Sequence, residues 1–192
     1  MDKDYTILIN RKHPLPEDFI PEHLVDIGLP FDAVPGEPKR LLEEKTARSA
    51  LELITRSRSE GLNLYCISGY RSYRRQKELF TGDSYVAPPG SSEHQSGLAL
   101  DMSCPAVQME LTEAFAETKE GIWLNRHAAL FGFIIRYPKN KEHITGIPWE
   151  PWHIRYVTRS LASYLSLTGL TLEEYHMLEN PVRSEEHTSE LQ

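Results

Sequence analysis

The chain has 192 residues and a net charge of −7, with no run of lysines and arginines, so a nucleic-acid-binding footprint is not expected. Hydrophobic residues make up 40% and charged residues 26%, the balance of a soluble globular protein long enough to fill one domain. No apolar stretch approaches the roughly 18 residues of a membrane span, and the opening "MDKDYTILINRKHPLPEDF" lacks the basic-then-apolar order of a secretory signal, so a cytoplasmic location is expected.

Residues 5–40 are rich in proline, with Pro14, Pro16, Pro21, Pro30, Pro35 and Pro38. That density forbids a long helix and disfavours a central strand, so the segment reads as an extended arm over the domain, with a short edge strand at "YTILIN". From 39 to 60 the apolar residues Leu41, Leu42, Ala47, Ala50, Leu51, Leu53 and Ile54 recur near helical spacing, and Gly61 supplies a stop. "LNLYCIS" (62–68) reads as a strand, and "SYRRQKELF" (72–80) as a helix capped by Ser72. "TGDSYVAPPGSSEHQSG" reads as a loop. In "LALDMS" the alternation puts Leu98, Leu100 and Met102 on one face and Ala99, Asp101 and Ser103 on the other.

Residues 107–131 read as mainly helical, broken near Gly121 and ended by Gly132. "FIIRY" is a strand, "PKNKEHITGIP" a loop and "HIRYV" a further strand, followed by short helices near 158–167 and 171–179. Thr171 with Glu174 has the spacing of a capping box. This order predicts a single α+β domain over residues 1–182, with a small, mainly antiparallel sheet flanked by helices. Cys66 and Cys104 sit in apolar stretches and read as buried free thiols. The final "RSEEHTSELQ" (183–192) is polar, lacks a core pattern and reads as a non-native tail.

Three stretches hold candidate chemistry. Asp101 shares its strand face with two small residues, and a buried carboxylate needs a partner. His94, in the preceding Gly/Ser-rich loop, has room to turn toward it; the pair alone fits two zinc ligands or a chance pairing. "PWEPWHIRYV" adds His153 at the start of a strand that could neighbour 98–103, and Glu150 three residues earlier in a turn beyond Pro151. A histidine ligand with a carboxylate beside it suits metal-assisted hydrolysis, against the plainer reading of a solvated acid and a core histidine. In "SGYRSYRRQ", Arg71 ends a strand, where a guanidinium can bind a carboxylate or stabilise an oxyanion. Arg74 and Arg75 fit surface ion pairs.

Taken together, "SSEHQSGLALD" resembles the Ser-x-His-x6-Asp signature of zinc D-alanyl-D-alanine carboxypeptidases. "EPWH" resembles their Glu-x-x-His, and "SGYRS" their arginine motif. The group is that of the VanY, VanXY and LdcB-type peptidases, in the wider superfamily that holds lysostaphin-type peptidases and hedgehog domains. The similarity runs from "LINRKHPLP" near residue 8 to "LEEYHMLEN" near 180. It implies one zinc ion held by His94, Asp101 and His153. It implies Glu150 as general base and later proton donor to the leaving amine, and Arg71 as the group that polarises the scissile carbonyl. Ser92 is expected to bind the substrate's C-terminal carboxylate, Gln76 and Tyr70 to wall the pocket, and Trp152 to brace the second ligand segment.

The function so implied is hydrolysis of D-Ala-D-Ala ends of peptidoglycan precursors or of the dipeptide itself, a chemistry that contributes to glycopeptide resistance. Two other readings use the same core. One is an endolysin-type peptidase cutting L-Ala-D-Glu bonds, disfavoured by the match outside the core. The other is a zinc-containing binding module without turnover, disfavoured because Glu150 is present.

Overall fold

The computed structural model describes residues 4–82 and 86–179. The tail at 183–192 lies outside the described residues, as does part of the 81–91 loop.

The sheet is built from four strands, β3 (Tyr65–Ser68), β4 (Ala99–Ser103), β5 (Phe133–Tyr137) and β6 (Glu150–Tyr156), in the spatial order β3-β4-β6-β5. Every neighbouring pair is antiparallel, as the order of elements predicts. Two short strands, β1 (Leu24–Val25) and β2 (Leu42–Glu43), pair separately beside the arm. Period-2 alternation gives the main sheet two unlike faces. Cys66, Leu100, Met102, Phe133, Ile154 and Tyr156 join a core with Ala47, Ala50, Leu53 and Ile54 of α1 (Glu44–Ser59). On the opposite face stand Asp101, His153, Arg136 and Arg155, all buried.

Helix α1 starts later than the apolar spacing suggests. Leu41 and Leu42 lie outside it, and the Glu43 carboxylate caps it by accepting from the Thr46 N–H at 3.0 Å. Helix α2 (Tyr73–Leu79) is capped by Ser72, whose Oγ accepts from the Arg75 N–H at 3.2 Å. Near the C-terminus, α5 (Arg159–Thr168) and α6 (Leu172–Glu179) pack under β5 through Ile134, Leu161, Leu165 and Leu172. The expected capping box forms: the Thr171 N–H donates to Glu174 Oε2 at 2.8 Å, and the Glu174 N–H to Thr171 Oγ at 3.2 Å. Both cysteines are buried free thiols.

Several expectations are corrected. "YTILIN" forms no strand; the carbonyls of Tyr5 and Ile7 accept instead from the Arg155 guanidinium, at 3.1 and 2.8 Å. The break expected near Gly121 falls at Thr118, between the 3-10 turn at 113–117 and α3 (Lys119–His127), and Gly121 itself lies inside α3. A Cβ there would collide with the Phe115 carbonyl, so the glycine permits close packing against the 3-10 turn at 113–117. The loop at 138–148 contains a one-turn helix, α4 (Glu142–Thr145). Strand β6 begins at Glu150, before rather than after Pro151. Among the described residues no helix is long and apolar enough to cross a membrane.

Candidate metal centre and active site

Strand pairing assembles the site. Asp101 in β4 lies directly opposite His153 in β6, and both side chains leave the sheet on the polar face. The β5–β6 register carries Ile135 opposite Ile154 but Tyr137 opposite Glu150, so β6 spends extra residues over the same span. Pro151 has no N–H to give the ladder, and the irregularity falls where it stands. The result is that Glu150 and His153, three apart and normally on opposite faces of a strand, come within 3.9 Å of each other.

His94 arrives from a 3-10 turn, Glu93–Ser96, closed by Gly97 in the left-handed region. Its Nδ1 lies 2.6 Å from the Gly69 carbonyl. A carbonyl only accepts, so Nδ1 carries the proton and the Nε2 lone pair faces inward, 3.1 Å from Asp101 Oδ2. That hold on His94 needs Gly69 itself: a Cβ there would lie 2.5 Å from the Leu41 carbonyl oxygen. His153 Nδ1 lies 2.8 Å from Asp101 Oδ1. Ligand atoms of His94, Asp101 and His153 all fall within 4.8 Å of one another, and the three residues are buried. Two imidazoles and one carboxylate form a donor set that suits zinc, with a fourth position left for a reactant.

The other expected residues are placed around these three. A cavity of about 220 Å3 is lined by Arg71, Gln76, Ser92, Glu150, Trp152 and Tyr137 together with the three candidate ligands. Arg71 reaches Asp101 at 3.9 Å and donates to Gln76 Oε1 at 3.0 Å and Ser68 Oγ at 3.1 Å. Gln76 in turn donates to the Ala87 carbonyl at 2.7 Å. Tyr70 does not line this cavity; it lines a neighbouring groove with Lys39 and Arg75. Arg74 and Arg75 pair with Glu78, as surface arginines should.

Burial is the first influence on each ionisable group here. It pushes the Glu150 carboxyl up to about 8, with His153 pulling the other way and Asp101 adding repulsion. Burial opposes the charge on His153, but the hydrogen bond to Asp101 and the Glu93 carboxylate 3.5 Å away outweigh it and push the imidazole up to about 10. His94 is lowered by burial, only partly offset by Asp101. Burial would raise Asp101, yet the two imidazoles hold it well below the usual carboxylate range. In the metal-free protein the His153 proton thus supplies the positive charge beside Asp101.

Sequence reasoning missed Glu93, Arg136, Arg155 and Tyr137. Glu93 is fully buried against both arginines, and the Tyr137 ring packs 4.9 Å from His153. The arginines did leave a signal, a cation in the middle of each of two apolar strands, "FIIRY" and "HIRYV".

Comparison with known proteins identifies the family. The family model described as VanY, D-alanyl-D-alanine carboxypeptidase, matches residues 39–159. The chain is 41% identical over 178 residues to YodJ of Bacillus subtilis, covering 88% of this chain and 65% of YodJ, so it spans slightly less than two thirds of that relative. It is 34% identical to VanXYC of Enterococcus gallinarum, a bifunctional D-Ala-D-Ala dipeptidase and carboxypeptidase, covering 88% of this chain and 92% of VanXYC. The solved structure of the LD-carboxypeptidase LdcB superposes with a TM-score of 0.85 at 41% identity, covering 88% and 84% of the two chains. A VanY D,D-pentapeptidase mutant in complex with Zn(II) superposes with a TM-score of 0.74 at 30% identity, covering 91% and 99%.

Proposed function

Because the chain belongs to the VanY D-alanyl-D-alanine carboxypeptidase family, we propose that it is a zinc-dependent carboxypeptidase releasing the terminal D-alanine from peptidoglycan peptides that end in D-Ala-D-Ala. The observation that carries this reading is the convergence of the His94 and His153 imidazoles and the Asp101 carboxylate on one cavity that also holds Glu150 and Arg71. The Zn(II) complex of the related VanY enzyme supports the choice of metal.

His94, Asp101 and His153 would hold the ion. Zinc, when bound, supplies Lewis acidity that activates water near neutral pH and polarises a carbonyl. Glu150 takes the proton of the attacking water and passes it to the departing amine nitrogen. Its buried setting suits both halves of that duty, because a carboxyl poised near neutrality accepts and releases a proton readily. Arg71, steadied by Gln76 and Ser68, faces the place where the carbonyl oxygen gains charge and stabilises it there. Ser92 lines the cavity, which supports a role for it in donating to the substrate's terminal carboxylate. Removal of terminal D-alanine in this way would contribute to glycopeptide resistance.

A second reading has its own support. The likeness to LdcB, an LD-carboxypeptidase, is greater than that to VanY, which favours cleavage of an L-D bond by the same machinery. Incubating zinc-loaded protein with D-Ala-D-Ala, a UDP-linked pentapeptide and the corresponding tetrapeptide, and measuring D-alanine release from each, separates the two. Release from the pentapeptide supports the D,D reading, and release from the tetrapeptide alone replaces it with the L,D reading. No release from any of them rejects both.

A further inference from the structure

Three buried side-chain atoms have no hydrogen-bond partner among the described residues, and two of them face each other: Glu93 Oε2 and His153 Nε2 are 3.5 Å apart. The remainder of Glu93 is heavily engaged. Its Oε1 accepts from Arg136 Nε and from an Arg155 guanidinium nitrogen, each at 2.7 Å. Arg136 is also clasped by both oxygens of Glu173, at 2.6 and 2.8 Å, and Glu173 Oε1 accepts from Asn10 at 3.2 Å. Arg155 also donates from Nε to the Tyr156 carbonyl and from Nη2 to the carbonyls of Tyr5 and Ile7. The Glu93 carboxylate is therefore held rigidly by one oxygen, with the other left over for the imidazole.

We propose that Glu93 is a positioning residue for the metal centre: its free carboxylate oxygen holds the Nε2–H of His153, so that Nδ1 is the atom presented beside His94 and Asp101. This rests on the metal-site reading above and extends it to a residue that touches neither ion nor substrate. The two histidines are oriented by the same logic through opposite ring nitrogens. His94 gives its Nδ1 proton to the Gly69 carbonyl and presents Nε2, whereas His153 gives its Nε2 proton to Glu93 and presents Nδ1. A partner on the far nitrogen fixes both the tautomer and the ring plane of a metal-bound histidine. Through Arg136 and Arg155 the same carboxylate ties the ligand to the N-terminal arm and to α6.

The amide isostere tests this sharply. In Glu93→Gln the two guanidinium groups, which only donate, require the amide oxygen on their side. The amide NH2 then faces His153 Nε2 and drives the ring toward the tautomer with its proton on Nδ1. Zinc affinity, measured by chelator competition, should fall about 10- to 100-fold, with the circular dichroism spectrum unchanged, and Glu93→Asp should recover part of the loss. A folded Glu93→Gln protein with wild-type zinc affinity would overturn the proposal. Wild-type protein labelled with 15N-histidine decides the matter if the variant does not fold. Long-range 15N–1H spectra of the zinc form should show His153 protonated on Nε2 and coordinated through Nδ1; the reverse pattern would overturn it. Wild-type protein that binds no zinc at all would instead sink the metal-site reading itself.

Discussion

Asp101 and His153 occupy facing positions on adjacent antiparallel strands, and their side chains meet at 2.8 Å on the buried polar face of the sheet. A ligand pair placed by strand register is as rigid as the sheet itself, which is what a metal site needs from its scaffold. It also means that the proton now shared by the pair must leave when a cation enters.

The first prediction concerns that proton. His153 is raised from 6.5 to about 10, so it is protonated at neutral pH in the metal-free protein. Zinc binding should release about one proton between about pH 8 and 10 and more at neutral pH, where Glu150 is protonated as well, and zinc affinity should rise at least about tenfold per pH unit below about 10. Calorimetric titration in buffers of different ionisation enthalpy reads the proton directly; a binding enthalpy independent of buffer would contradict the assignment.

Stability of the metal-free protein should follow the same groups. A group whose folded pKa is raised contributes fully below its unfolded value and loses that contribution as pH rises through the folded one. For His153 that window runs from 6.5 to about 10, and for Glu150 from 4.5 to about 8. Both act in one direction, so the melting temperature of metal-free protein should fall between about pH 5 and pH 9. A melting temperature that climbs over this range would count against the buried charge arrangement.

Glu150→Gln keeps the shape of the side chain and removes the proposed base. Because Glu150 is not among the candidate metal ligands, zinc affinity should stay near wild type while kcat drops about 100- to 10,000-fold. In the wild type, activity should decline as pH falls through the Glu150 pKa, which bound zinc brings below its metal-free value of about 8. That acid limb should vanish from the residual activity of the variant. Unimpaired turnover in Glu150→Gln would remove this residue from the mechanism.

Arg71 and Gln76 should separate by degree. Arg71→Ala removes the proposed oxyanion partner and should lower kcat about 100- to 1,000-fold without loss of zinc. Gln76→Ala leaves the guanidinium present but frees one of its anchors and should cost up to about 100-fold. Steady-state kinetics on both variants, with metal content measured alongside, checks the order.

Gly69→Ala should link packing to metal binding. The new methyl would meet the Leu41 and Lys39 carbonyl oxygens at 2.5 and 2.9 Å, so the backbone must shift. Strain of this kind costs about 1–3 kcal/mol. Because the Gly69 carbonyl also holds His94, both melting temperature and zinc affinity should fall. A stable variant with normal zinc affinity would show that this carbonyl does not fix the ligand.

The sequence made some of this legible and hid the rest, for physical reasons. Alternation in "LALDMS" correctly separated Asp101 from Leu100 and Met102, because period-2 geometry is local. Thr171 and Glu174 announced their capping box for the same reason. The edge strand expected at "YTILIN" failed because Arg155, 150 residues from Tyr5, takes the arm's carbonyls, and no local pattern reports such a partner. Gly121 looked like a helix breaker, although its role depends on the approach of Phe115. At the site, each motif alone was ambiguous; their combination located the three candidate ligands, Glu150 and Arg71 around one cavity. Glu93 was missed because a glutamate beside a histidine in a polar loop gives no sign of two buried arginines waiting on other strands.

Turnover should depend on one metal ion at His94, Asp101 and His153. The most direct test strips the protein with a chelator and titrates zinc back while measuring D-alanine release from a pentapeptide ending in D-Ala-D-Ala. Without metal there should be no activity, and recovery should be full at one zinc per chain. Metal-free protein that still releases D-alanine at the full rate would contradict it.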